Sequence, residues 1–518
     1  MAHWNDGYIT DVLYYANNYY RECSASWLAA AALLLGHRPP DLGGPFRYAE
    51  LGSGQGFGAL VVAACSPQAE VWAFDFNPAR IEAATRLAAR AGIGNIRYVE
   101  ASFAELAALQ ATDLPPFDII VSHGVLSWLS AANRQHLIAI IGQRLKPGGI
   151  AYLGYNSATG WASMVPMRTL MLQLTAVRPE RPDLAATAIL DAVERLRAAG
   201  ALYFAANPMV EQRLARLRLH DPRHLVHELL NADWHPAMFA EVAAAMTEAK
   251  CSFIGSAMLT DNIPATAVPA GVAALLAETH DPVLRETLRE FGAPQEFRWD
   301  IYRRGLTPMP AGEHQEMVEA LSVARLGRAV PERGITFATS FGPVIGRSEI
   351  YAPLLALLER GPMNVRQASV ALGFEGRPVP DVLQAIALLV HGGYAHPLLP
   401  GGNSAAALDA VRGLNQAIVR ATADGMDMLR LVSPVLGAAL PEDTIETLVV
   451  GELLGGRAAR IETLSDAVAA LLTRGGHTVQ RDGTPVTDAA EIRTLVADQA
   501  RGTLDRIPLL RELGVLTS

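Results

Sequence analysis

YAELGSGQGFGALVVAACSP, residues 48–67, sets four glycines within seven residues between one apolar run and another. At a strand-to-helix turn such a cluster lets a ligand approach backbone N–H groups at the start of a helix. Two phosphate chemistries are tested first. A triphosphate loop needs G-x-x-x-x-G-K-[ST], and no lysine follows these glycines, so the cation of that cradle is missing. A dinucleotide fingerprint G-x-G-x-x-[GA] is met only by starting at Gly54, with Gly56 and Ala59. Started at Gly52, it places Phe57 where the third glycine belongs.

Working outward from the loop, strands and helices alternate. FRYAEL, EVWAFDF, IRYVEA, FDIIVSHG and IAYLGYN read as strands. FGALVVAAC, PARIEAATRLAARAG and SAANRQHLIAIIGQRL read as helices between them. Apolar strands spaced by amphipathic helices imply right-handed βαβ units and an α/β fold, a Rossmann-like doubly wound, mostly parallel sheet. Ahead of it, residues 8–38 carry aromatic and apolar positions at helical spacing and predict one long helix, ending at Gly36 before Pro39. Beyond residue 160 the pattern is mainly helical, with a segment around residues 348–397 whose rhythm of three helices and a β-wing is similar to a winged helix. The expected division is a helical lid (1–40), a cofactor domain (41–165), a helical middle domain (166–305), a linker (306–330), a winged-helix-like domain (331–405) and a C-terminal helical domain (406–518).

Two acids flank the glycines. Glu50 ends the first strand, two residues before Gly52, and Asp75 ends the second, 23 residues after it. S-adenosylmethionine carries no phosphate; its methionine end bears a sulfonium, an ammonium and a carboxylate, and its ribose offers two hydroxyls to an acid. ELGSGQG, then FD, then SFAEL after the third strand resembles the class I S-adenosylmethionine-dependent methyltransferases, whose first motif reads E/D-x-G-x-G-x-G. The resemblance implies that Glu50, Gly52, Ser53 and Gly54 line the methionine and ribose end and that Asp75 takes the ribose hydroxyls. It puts Phe76, Ser102 and Phe103 beside the adenine and His123 beneath the methionine end. The product is then S-adenosylhomocysteine.

SHGVLSWL, LKPGGIAYLGYNSATGW, NADWHPAMFAEVAAAMTEAKCSFIGSAML and QEFRWDIYRRG extend the resemblance to methyltransferases with a regulatory domain, among them bacterial protein-lysine methyltransferases acting on outer-membrane proteins. That implies a protein as acceptor; a homodimer is a separate expectation. Methyl transfer is an in-line displacement that needs alignment and, for an ammonium acceptor, a base. By chain position the base candidates are His123, Tyr14, Tyr15 and Tyr155. Tyr8, Asn156 and Trp161 are the candidates for touching the acceptor. A non-catalytic scaffold that binds the cofactor, or an NAD(P)-dependent oxidoreductase, is the alternative.

Bulk properties agree. A net charge of −9 offers no chain-wide attraction to nucleic acid or anionic membrane. The winged-helix-like stretch from Tyr351 to Pro400 holds three arginines against three acids, and its last helix has no cation for phosphate. Where nucleobase amine methyltransferases carry [DN]-P-P-[FYW], this chain reads SHGV. Cys23, Cys65 and Cys251 lie far apart, which predicts no disulfide framework and a reducing, cytoplasmic setting. Neither a signal peptide nor an apolar run long enough to span a bilayer is read from the sequence. His220, His224 and His227 straddle a helix start at Asp221-Pro222, so no metal site is expected.

Overall fold

Seven strands are laid out as one sheet. They are β1 (Arg47–Leu51), β2 (Glu70–Asp75), β3 (Ile96–Glu100), β4 (Phe117–His123), β5 (Leu145–Asn156), β6 (Cys251–Ser256) and β7 (Phe297–Arg304), in the order β3-β2-β1-β4-β5-β7-β6. The first five are parallel, and β7 runs antiparallel between β5 and β6. The computed structural model describes residues 5, 7–10, 19–110, 112–307, 309–330, 334–339, 341–373, 379–426, 428, 430–481 and 484–516. The sequence reading placed the end of the cofactor domain at residue 165; the sheet itself takes its last two strands from residues 251–304. The CSFIGS stretch reads as a short strand on its own, but antiparallel pairing needs no βαβ crossover, so the sequence does not tell which sheet these strands join.

The sheet is covered on both faces, as a parallel sheet requires. On one side α2 (Phe57–Cys65) and α3 (Pro78–Ala91) pack with the Ala405–Ala423 helix. On the other lie α4 (Phe103–Ala108), α5 (Ala131–Arg144) and the Phe239–Glu248 helix. Asn77 caps α3, with Pro78 in the first turn and Gly92 in the left-handed conformation at its end. A separate apolar core holds the helices between residues 164 and 229 together.

The long helix expected over residues 8–38 does not form as one piece. Residues 8–10 and 19–20 are not helical, Arg21–Cys23 is a single 3₁₀ turn, and among the described residues of this stretch the α-helix is Ala25–Leu34. Ser24 ends the turn in an extended conformation and accepts from the Trp27 N–H, which makes it an N-cap and restarts the chain. Tyr14 and Tyr15 lie outside the described residues. Between residues 322 and 397, helices Ser348–Leu358, Val365–Ala371 and Val379–His391 accompany a three-stranded antiparallel sheet made by Ser322–Arg325, Met363–Asn364 and Ala395–Pro397. Among the described residues no helix is long and apolar enough to cross a membrane.

Candidate active site

The glycine loop turns between β1 and α2 with Gly52, Gly54 and Gly56 all at positive φ, 75°, 57° and 64°. A Cβ on Gly52 would sit 2.5 Å from Val125 Cγ2, and one on Gly56 2.4 Å from the Tyr98 ring. The loop is pinned from below, because the Gly52 and Ser53 N–H groups both donate to Phe74 O. Asp75, almost fully buried at the end of β2, accepts from Gly54 N at 2.8 Å and from Asn77 N at 2.9 Å, and lies 3.6 Å from Arg80. Burial raises its carboxyl, while Arg80 and the two N–H groups pull it back. Glu50 is tucked under the start of α2; burial pushes its carboxyl up to about 7, against the Ala59 N–H that lowers it.

Gly52, Asp75, Phe76, Ser102, Phe103 and His123 line one cleft of about 150 Å³, together with Tyr8, Arg80, Val125 and Trp128. Tyr8, expected at the acceptor, stands instead on this side, edge-on to Phe76 at 6.0 Å and under the Arg80 guanidinium. The Ser102 hydroxyl and N–H are committed to a capping box with Glu105, so Ser102 walls the cleft with its donors already in use.

A second cavity of about 480 Å³ adjoins the first. His123, Gly124 and Trp128 line both. Its other walls are aromatic and charged: Tyr20, Trp161, Phe297 and Trp299, with Glu228, Glu296, Arg213 and Arg216. Phe297 and Trp299 stand two apart on β7 and therefore point to the same side, while Arg298 and Asp300 between and beyond them are buried on the other. Asn156 and Trp161 line this cavity. Asn156 Nδ2 donates to Glu228 Oε1 at 3.4 Å, and Trp161 Nε1 donates to Glu296 O at 2.8 Å with Arg213 over its ring.

The geometry corrects the catalytic expectation for Tyr155. Tyr155 is fully buried, lines neither cavity, and donates its O–H to Asp300 Oδ2 at 2.6 Å; burial and the neighbouring carboxylate push its phenol far up. His123 does stand at the seam, its ring 3.8 Å from that of Tyr20 and its Nδ1 2.8 Å from Tyr152 Oη. Burial lowers it to about 3, which keeps it neutral and too weak a base for an ammonium.

The family follows from the sequence as a whole. The family described as a methyltransferase domain matches residues 49–149, and the one described as a predicted methyltransferase regulatory domain matches residues 221–304. The uncharacterized protein sll1526 of Synechocystis is 32% identical over 516 residues, 99% of each chain. The chain belongs to the class I S-adenosylmethionine-dependent methyltransferases that carry a regulatory domain. PKMT2 of Rickettsia typhi in complex with AdoHcy shares the fold of this methyltransferase, with a TM-score of 0.71 at 16% identity over 98% of this chain and 100% of that one. A second PKMT2 structure matches at a TM-score of 0.67, over 97% and 99%.

The methyltransferase's loop suits its donor on a point of this structure. Glu50 Oε2 and Ser53 Oγ are buried at the loop without a hydrogen-bond partner among the described residues. Unmade polar pairs of this kind are costly in a finished fold, and a ligand bearing an ammonium and a carboxylate supplies what both lack. The sequence reading missed Tyr20, Arg80, Trp128, Glu228, Phe297 and Trp299. The i, i+2 aromatics of QEFRWD carried a signal for the last two; Glu228 carried none of its own.

Proposed function

We propose that this methyltransferase holds S-adenosylmethionine in the cleft at Gly52, Asp75 and Phe103 and methylates the side-chain amine of a protein lysine. In this reading Asp75 receives the ribose hydroxyls, Phe76 and Phe103 wall the adenine, and Glu50 with Ser53 meets the methionine end. When bound, the donor supplies a methyl carbon already activated by a sulfonium. The chain's own task is to align the acceptor, strip it of water and dispose of its proton.

One observation carries the choice of acceptor: the cavity that shares His123, Gly124 and Trp128 with the cleft is walled by Tyr20, Trp161, Phe297 and Trp299 and holds the carboxyl of Glu228. Aromatic faces attract an ammonium by about 0.5–2 kcal/mol each, more as water is excluded, and a carboxylate adds to it. A lysine presents a cation on a long apolar stem, which is the shape and polarity of this chamber. The likeness to bacterial protein-lysine methyltransferases supports the same acceptor. The test is incubation with methyl-labelled S-adenosylmethionine and unfolded bacterial protein, followed by complete hydrolysis. Labelled ε-N-methyl-lysine is expected; label confined to another residue type, or none, refutes the reading.

A further inference from the structure

We propose that Glu228 accepts the proton of the incoming lysine ammonium, with Asn156 as the residue that positions its carboxylate; this rests on the lysine reading above. The helix Pro222–Leu229 buries Leu225, Val226 and Leu229, which leaves Glu228 on the side that lines the acceptor cavity. Asn156 Nδ2 donates to its Oε1 at 3.4 Å, and Asn156 is itself held by its N–H to Ser127 Oγ at 2.8 Å. The Glu228 carbonyl accepts from Trp128 Nε1 at 3.4 Å, and Trp128 walls both cavities. Residue 228 is thereby tied to the seam through which nitrogen and methyl carbon must meet.

The other carboxyl lining the cavity is already paired. Glu296 is paired with Arg213 at 3.1 Å and with Arg216. His123, from β4, is held neutral by burial. Lining the cavity with Glu228 are Arg213 and Arg216 from the Pro208–Leu219 helix with His220 just after it, Glu296 just before β7, His123 from β4, Asn156 from β5, Tyr20, and His224 one turn back on its own helix. Burial dominates this balance and moves the Glu228 carboxyl up to about 7; Glu296 adds to the rise, while Asn156 and Arg213 oppose it. A carboxylate so placed takes a proton near neutral pH, where an ordinary glutamate does not.

The step balances as follows. The lysine ammonium gives one proton to the Glu228 carboxylate and becomes a neutral amine. The nitrogen lone pair then forms the N–C bond as the C–S bond breaks, its electron pair returning to sulfur. The products are a methylated ammonium, a neutral thioether and a protonated Glu228, which releases its proton to water.

Glu228→Gln, Glu228→Asp and wild type are compared by the rate of methyl-lysine formation on unfolded bacterial protein across pH, by calorimetric binding of S-adenosylhomocysteine, and by infrared titration of the carboxyl band. For wild type the rate rises with pH and levels above about 7. For Glu228→Gln it falls on the order of 100-fold or more at pH 7 and keeps rising towards the lysine value near ~10.4, while S-adenosylhomocysteine still binds. The carboxyl band titrating near 7, to which Glu50 and Glu442 also contribute, is smaller by one carboxyl in the variant than in wild type. A Glu228→Gln enzyme with wild-type rate and pH profile, or an unchanged carboxyl band, overturns the assignment. If Glu228→Gln loses ligand binding through misfolding, Glu228→Asp decides: a reduced rate that still levels with pH supports the base, and a rate that keeps rising overturns it. Failure of the lysine reading looks different, because wild type itself then yields no methyl-lysine.

Discussion

Glu50→Gln separates what the loop costs from what it does. Glu50 lies at the end of β1, paired in register with Ala73 and Val121, and its carboxyl is held near 7 chiefly by burial, with Asp75 adding to the rise. The folded value is above the unfolded one of 4.5, so this group's favourable contribution is complete below about 4.5 and is lost as pH climbs through about 7. Above both values the ionised carboxylate costs the fold about 3 kcal/mol, at 1.36 kcal/mol per tenfold change in proton affinity. Glutamine keeps the shape and removes the ionisation.

Urea unfolding of the unliganded protein at two pH values measures this directly. The variant gains under about 1 kcal/mol over wild type at pH 5 and about 3 kcal/mol at pH 8. The same substitution removes the anion that meets the ligand's cationic end, and S-adenosylhomocysteine affinity falls roughly 10- to 100-fold, as expected for loss of a charged hydrogen bond. A stability gain equal at both pH values refutes the burial argument, and unchanged affinity refutes the placement of Glu50 at the methionine end.

Gly52→Ala combines a positive φ with a Cβ placed 2.5 Å from Val125, so it destabilises by about 2–4 kcal/mol and weakens S-adenosylhomocysteine binding; calorimetry and thermal unfolding within error of wild type would contradict the loop geometry. Tyr155→Phe removes the donor to Asp300 and costs about 1–3 kcal/mol in urea unfolding while kcat stays at the wild-type value, whereas a kcat collapse in the folded variant would restore Tyr155 to the chemistry. Arg298→Met leaves Asp300, Glu286 and Glu290 buried around a missing cation and destabilises by about 3–5 kcal/mol, a loss that an unchanged urea midpoint would disprove.

In the proposed reading, the cofactor half of the site is legible in the sequence because its chemistry is local. Glu50, the glycines and Gly54's partner Asp75 lie within one βαβ unit, and a strand-end acid after a glycine loop has few other uses. The acceptor half was not, because its residues come from four distant places: Tyr20, Trp128 after β4, Glu228, and Phe297 with Trp299 on β7. Tyr155 misled for a related reason. It follows Gly154 on β5, whose pleat turns successive side chains to opposite faces, and the face of Tyr155 is the buried one against Asp300. The N-terminal helix was overextended because apolar spacing carries no information on Ser24, which can continue a helix or cap one.

Where the acceptor half comes from bears on what the regulatory domain is. Residues 221–304 match that family, yet they supply β6 and β7, which complete the sheet, together with Glu228, Glu296, Phe297 and Trp299 of the acceptor cavity. Beneath that wall, Arg298 binds Glu286, Glu290 and Asp300 in a buried network that fixes the strand carrying Phe297 and Trp299. A segment so placed cannot be removed without opening the sheet at β5 and dismantling the chamber. In the reading proposed here, the glycine loop decides that a methyl group is carried, and the segment 221–304 decides what receives it. Exchange of acceptors between relatives is therefore expected to track substitutions at Glu228, Phe297 and Trp299 rather than changes in the loop.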